Sequence, residues 1–128
     1  MAFEWQKFVE LARALQQQAT GTAQPEAILR TAMSRAYYGA FCFARNYAER
    51  WLKYTPAGTE EDHRGLRDYL WTKKRQNVAR SLDQLRKWRN SADYNDDLPY
   101  DPALTVSSAI HEAERVFAAL PPPRTKAT

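Results

Sequence analysis

Cysteine is nearly missing from this 128-residue chain: Cys42 stands alone, so neither an internal disulfide nor a thiol-rich metal site is possible. Glycine is scarce as well, and none of the four falls into the spacing of a phosphate-cradling loop. The two histidines, His63 and His111, lie in separate helical segments with no carboxylate at ligand spacing, so no zinc site is expected and no cofactor is implied. No serine, histidine and aspartate combine into a hydrolytic triad. No run of eighteen apolar residues is present, so a transmembrane helix is not expected. The opening Met-Ala-Phe-Glu-Trp5 lacks the basic and apolar regions of a signal peptide, which makes the cytoplasm the expected compartment. No segment alternates with strand period, and no internal repeat is visible.

What the chain has in quantity is aromatic residues and helical periodicity. Four Trp, seven Tyr and five Phe place rings throughout the core and leave some for an interface. Trp5, Phe8, Val9, Ala12 and Leu15 mark one face of a helix from Phe3 to Gln18. Pro25 suits the first turn of a long second helix running to about Tyr54. Its two adjacent apolar stripes make it central, and Ala36, Gly39 and Ala40 allow a close neighbour. Thr55-Pro-Ala-Gly58 is a loop, and Thr59 can cap a short third helix ending near Trp71. Asn77 is a plausible cap for a fourth, ending near Asn95. Asp101-Pro102 starts a fifth, whose stripe of Ala103, Val106, Ile110, Ala113, Phe117 and Leu120 is stopped by Pro121-Pro-Pro123. The fold class is therefore all-α: an up-and-down four-helix bundle with one additional short helix, a single domain over 1–120, and a flexible tail at 121–128.

Charge is unevenly spread. Lys73, Lys74, Arg75, Arg80, Arg86, Lys87 and Arg89 are accompanied by one acid, Asp83, and the sign then reverses at Asp93, Asp96, Asp97 and Asp101. In the fourth helix Val78, Leu82, Leu85, Arg89 and Ala92 share one face, so Arg89 stands where an apolar residue belongs. An arginine there is costly unless it is paired or used. Two uses compete: an ion pair with Asp93, one turn on, that fixes packing, or a guanidinium held ready for phosphate. The basic run is either a solvated face or a phosphate attractor. On the second helix Ser34, Arg35 and Tyr38 can line a pocket beside Arg89; Tyr37 reads as core. His63 reads as a core-edge histidine.

Ser34-Arg-Ala-Tyr-Tyr-Gly-Ala-Phe41 on the long helix, a histidine early in the next helix (His63), and Leu85-x-x-x-Arg89-x-x-Ala-Asp-Tyr94 together resemble the HEPN family, over roughly Ala27 to Leu120. The resemblance implies a helical bundle, commonly a homodimer. Many members are metal-independent ribonucleases of toxin–antitoxin systems, paired with a small nucleotidyltransferase. It further implies Arg89 as the residue holding a scissile phosphate. Asp93 and Tyr94 are the assisting catalytic candidates. Ser34, Arg35, Tyr38, Arg86, Arg89 and Asn90 are the candidates for binding RNA or nucleotide. The family's ribonuclease motif runs from this arginine through four to six arbitrary residues to a histidine, and this chain departs from it: Tyr94, Asn95 and Asp96 occupy those positions. A tyrosine, with an ordinary pKa of about 10, is a poor substitute for an imidazole near neutral pH. The alternative is a non-catalytic module that binds a nucleotide or docks onto a nucleotidyltransferase.

Overall fold

The structure, a computed structural model describing residues 2–123, is built on α2 (Pro25–Trp51), which packs against each of the other four helices. These are α1 (Gln6–Ala19), α3 (Glu61–Thr72), α4 (Gln76–Tyr94) and α5 (Pro102–Ala119). No strand occurs among the described residues. The chain is thus all-α, as the periodicity predicts. Part of the expected tail, residues 124–128, lies outside the described residues.

Contacts between helix ends fix their directions. Near the start of α2, Arg30 donates from Nη1 to the carbonyls of Ala92 (3.0 Å) and Asn95 (2.6 Å) and from Nη2 to that of Asp96 (3.0 Å), so α2 and α4 are antiparallel. Late in α1, Gln16 donates to Ser107 early in α5 at 2.6 Å, while Arg13 pairs with Glu114 at 3.0 Å, so these two are antiparallel as well. Tyr47 late in α2 donates to the Pro121 carbonyl just past α5 at 2.9 Å, which makes α2 and α5 parallel. Helices α1, α2, α4 and α5 form the up-and-down bundle, and α3 is the added short helix. Arg30 also satisfies carbonyls left open at the C-terminal end of α4, holding the turn that carries Arg89 to Tyr94.

The core follows the predicted stripes. Met33, Ala36, Tyr37 and Ala40 of α2 are buried together with Leu66 and Leu70 of α3, Val78, Leu82 and Leu85 of α4, and Val106, Ala109 and Ala113 of α5. Removing a leucine side chain from such a site costs about 2–5 kcal/mol. Gly39 admits α1: a Cβ there would lie 3.0 Å from the Trp5 carbonyl oxygen and from Val9 Cγ2. No helix among the described residues is long and apolar enough to cross a membrane.

Four boundaries differ from expectation; at one of them Glu60, not Thr59, holds the cap position of α3. Helix α1 begins at Gln6 rather than Phe3; Phe3, Trp5 and Phe8 instead gather edge to face, with centroids 4.8–5.4 Å apart. Helix α2 stops at Trp51 rather than near Tyr54, because Lys53 adopts φ 62° and turns the Tyr54 N–H back onto the Ala48 carbonyl at 3.1 Å. Asn77 does not cap α4. Lys74, also at φ 62°, turns the chain so abruptly that Arg75 takes the cap position and the helix starts at Gln76. By contrast, Asp101 caps α5 as predicted, accepting from the Ala103 N–H at 2.9 Å.

Candidate functional site

Arg89 is held on the apolar stripe of α4 between buried Leu85 and buried Ala92, with its side chain 12% exposed. Its guanidinium carbon lies 5.1 Å from the Tyr37 ring centroid and 5.4 Å from that of Tyr38, so two aromatic rings of α2 support the cation. Its Nε is buried and has no hydrogen-bond partner among the described residues. The approach of Nη1 to Asp93 Oδ2 is 3.9 Å, beyond hydrogen-bonding range. Asp93 confirms how loose this contact is: burial pushes its carboxyl up from the ordinary value, against the pull of Arg89 and Arg35. A tight ion pair would have moved it down. Arg89 is therefore a desolvated cation without a tight counter-ion, a costly state by itself.

The guanidinium opens onto a cleft of about 310 Å³ lined by Tyr38, Glu60, His63, Arg86, Arg89, Asn90 and Tyr94. Four of these belong to the last three turns of α4, where spacings of three and four residues set Arg86, Asn90 and Tyr94 on one side and Arg89 beside them. Tyr94 is 76% exposed at the mouth. Tyr38 contributes one wall from α2. Glu60 and His63 come from the start of α3.

His63 is the residue that sequence reasoning missed as a site group. Its ring stacks on Phe41 at a centroid distance of 4.2 Å, and its Nδ1 hydrogen-bonds with the Tyr37 hydroxyl. Burial holds its pKa below the usual histidine value, and the Arg89 and Arg67 guanidinium groups push it further down. The imidazole is consequently neutral at neutral pH. The one available signal was the histidine of the family resemblance, since nothing in the local pattern of α3 brings His63 to Arg89. The long return from the end of α2 does so. That return is pinned by Asp62, which accepts from the Tyr54 hydroxyl (2.7 Å) and from the N–H groups of Ala57 (2.8 Å) and Gly58 (2.9 Å). Burial acts to raise the Asp62 carboxyl, but these hydrogen bonds outweigh it and hold the group below its ordinary value.

A second layer of cations lies behind the cleft. Asp83 meets Arg86 at 3.0 Å, Lys87 at 3.2 Å and Arg67 at 3.7 Å, and Arg67 also donates to the His63 carbonyl at 2.7 Å. One carboxylate among three cations leaves the surroundings positive. Burial and the facing Arg86 push the Arg67 guanidinium below its ordinary pKa, the mark of crowded positive charge.

Of the predicted site residues, Tyr38, Arg86, Arg89, Asn90 and Tyr94 come together on the cleft, and Asp93 stands at its edge, 3.9 Å from Arg89. Ser34 and Arg35 do not line it. Ser34 is buried, and the Arg35 guanidinium lies over the Phe8 ring of α1, 4.8 Å from its centroid, and 5.5 Å from that of Tyr38. Tyr37 is core, at 1% exposure. No cluster of three or more histidine, cysteine, aspartate or glutamate side chains able to hold a metal occurs among the described residues. Chemically the cleft offers arginine donors for a phosphate, an amide, aromatic faces and a neutral imidazole. No family model, no curated protein and no solved structure matches the chain.

Proposed function

We propose that this protein is a HEPN-type bundle of a toxin–antitoxin pair that engages the phosphate backbone of RNA, or a nucleotide, in the α4 cleft. The observation that carries this is Arg89, desolvated on the core side of α4, with an unpartnered Nε and no carboxylate in hydrogen-bonding range. A phosphate in the cleft would be met by the part of the guanidinium that lines it, in the bidentate form a guanidinium favours, while the buried Nε stays out of its reach. Arg86 and Asn90 stand beside it on the same cleft wall.

Metal-independent cleavage is the catalytic form of the same proposal, and it draws support from His63, an imidazole that lines the same cleft as Arg89. The ribose 2′-oxygen would attack phosphorus and the bond to the 5′-oxygen would break, leaving a 2′,3′-cyclic phosphate and a free 5′-hydroxyl. His63 would take the 2′-hydroxyl proton at Nε2 and return it to the leaving oxygen. For this, Nδ1–H must donate to the Tyr37 oxygen; with the opposite polarity Nε2–H becomes a donor to the phosphate instead. Homodimerisation and a nucleotidyltransferase partner belong to the proposal through the family resemblance, and light scattering and co-purification test them.

Incubation of the purified protein with RNA in the presence of a chelator tests cleavage. Products ending in a 2′,3′-cyclic phosphate, lost in both Arg89→Met and His63→Ala, are expected. Cleavage that survives Arg89→Met would remove the proposal. RNA that is bound but left intact would favour the non-catalytic module, which gains support from the solvent-exposed Tyr94 at the place of the family's histidine.

A further inference from the structure

A second hollow of about 210 Å³ lies farther along the groove between α3 and α4, lined by Arg67, Asp68, Trp71, Ala79, Arg80 and Asp83. Trp71 is 49% exposed although it sits on the last full turn of α3. Its ring is covered on one side by Arg80, whose guanidinium carbon lies 5.1 Å from a ring centroid. A large ring kept half in water beside a cation serves no packing purpose in the bundle. The two hollows are joined by one bridge: Asp83 holds Arg67, which lines the second hollow, and Arg86, which lines the Arg89 cleft.

Along α4, Arg80, Asp83, Lys87, Asn90 and Tyr94 follow at intervals of three and four residues, and form one continuous stripe. At 1.5 Å per residue it extends over about 21 Å. An exposed aromatic ring stands at each end, Trp71 beside Arg80 and Tyr94 at the helix terminus, with Asp83, Lys87 and Asn90 between them and Arg86 and Arg89 alongside on the cleft wall. Of the acids near this path, Asp83 is held by three cations and Asp68 by Arg64 at 3.7 Å, while Glu60 lines the cleft without an ion pair among the described residues and Asp93 lies at its edge.

We infer that the α3–α4 groove is a track for single-stranded nucleic acid, with Arg89 and Arg86 on the backbone and bases stacked on Trp71 and Tyr94. This rests on the phosphate-binding role of Arg89 and adds to it the class of ligand: an oligonucleotide rather than a mononucleotide, and a single strand rather than a duplex. Cations flanked by an aromatic face at each end suit unpaired bases, whose faces are free to stack, whereas duplex bases already cover one another. The length fits on the order of four nucleotides, the short end of single-strand site sizes.

The test is fluorescence anisotropy of the full chain with a labelled 2′-O-methyl oligouridylate octamer, which cannot be cut through a 2′-hydroxyl, and calorimetry with uridine monophosphate. Trp71→Ala is expected to weaken the octamer by roughly 5- to 150-fold, the range of one lost stacked base, while leaving the mononucleotide unchanged. Trp71→Phe should retain most of the affinity, and the same sequence as a duplex should bind more weakly. Arg89→Met should weaken both ligands. Octamer affinity within twofold of wild type in Trp71→Ala, with Arg89→Met still defective, would overturn the track but leave the phosphate site standing. If Arg89→Met changes neither ligand, the phosphate site falls and the track falls with it. Light scattering on the same samples covers the other use of an exposed tryptophan: loss of a dimer in Trp71→Ala without loss of octamer binding would make Trp71 a contact between copies and overturn the proposal.

Discussion

Arg89 is a largely buried cation without a tight counter-ion, which weighs against a purely packing role. A packing role needs a pair, but the nearest carboxylate is 3.9 Å away and is itself pushed towards its neutral form. Arg89→Met, similar in length and without charge, should leave Tm unchanged or raise it by a few degrees, because a buried charge is removed. A purely structural pair would instead cost about 3–5 kcal/mol when broken, and thermal denaturation separates the two outcomes. His63 has a pH signature. Its folded pKa lies below the unfolded value, so the unfolded chain binds the proton first; stability from this group is whole above about pH 6.5 and declines as pH falls below it. A phosphate in the cleft offsets the Arg89 and Arg67 charges that depress the imidazole, so binding should move the His63 titration upward and tighten as pH falls through that range. Proton NMR of the two histidines, with and without inorganic phosphate, checks this, and a His63 titration indifferent to phosphate would contradict it. At this scale Arg89 was legible from the sequence because a charge in a 3.6-residue apolar stripe is an anomaly one helix can display. His63 was not, because its partners Tyr37, Phe41 and Arg89 lie on other helices. The placement of Arg35 was hidden for the same reason: the Phe8 ring it lies over belongs to α1.

The elements were largely readable because each carries its own periodicity and stops. The Asp101-Pro102 start of α5 and the Pro25 start of α2 stand where the sequence placed them. Two of the misplaced boundaries, the end of α2 and the start of α4, share one cause. Lys53 and Lys74 take left-handed backbone conformations, which glycine or asparagine would have announced and lysine does not. Close packing of α1 on α2 depends on Gly39, as its small-residue setting suggested. Gly39→Ala should cost about 1–3 kcal/mol, since the contact at 3.0 Å is to backbone and α1 as a whole must move; denaturant unfolding measures it. The return from α2 to α3 hangs on Asp62. Asp62→Ala strands the Tyr54 hydroxyl and two N–H groups, and should cost about 3 kcal/mol, or roughly 10 °C in Tm. Because Asp62 is held below its ordinary pKa, its contribution is present above about pH 4 and lost as pH falls through the folded value. The difference between wild type and variant should therefore shrink in acid; a constant difference from pH 7 to pH 2 would contradict that assignment. Loosening this loop should also lower the affinity of the cleft, as Glu60 and His63 are both carried on it.

At the scale of the molecule, α1, α2, α4 and α5 bury a largely aliphatic core between them, and the short α3 completes the candidate site. Without α3 the bundle would still be a bundle, but Arg89 would face solvent without His63, Arg67 or the groove that leads to Trp71. The surplus of positive charge is concentrated on this α3–α4 side, so binding of a single strand should weaken with salt, with a log–log slope near −0.7 for each phosphate engaged. The sequence displayed this charge imbalance but not its use, because sequence order does not show that α3 lies antiparallel against α4 and closes the basic stripe into a groove. The central claim is that Arg89 meets a phosphate. Its most direct test is the RNA affinity of wild type and Arg89→Met at low salt, on samples whose melting temperatures agree within a few degrees. Loss of even one charge-assisted hydrogen bond, worth about 1.5–3 kcal/mol, predicts an affinity lower by roughly 10- to 150-fold in Arg89→Met. Equal affinity in the two proteins would contradict the account.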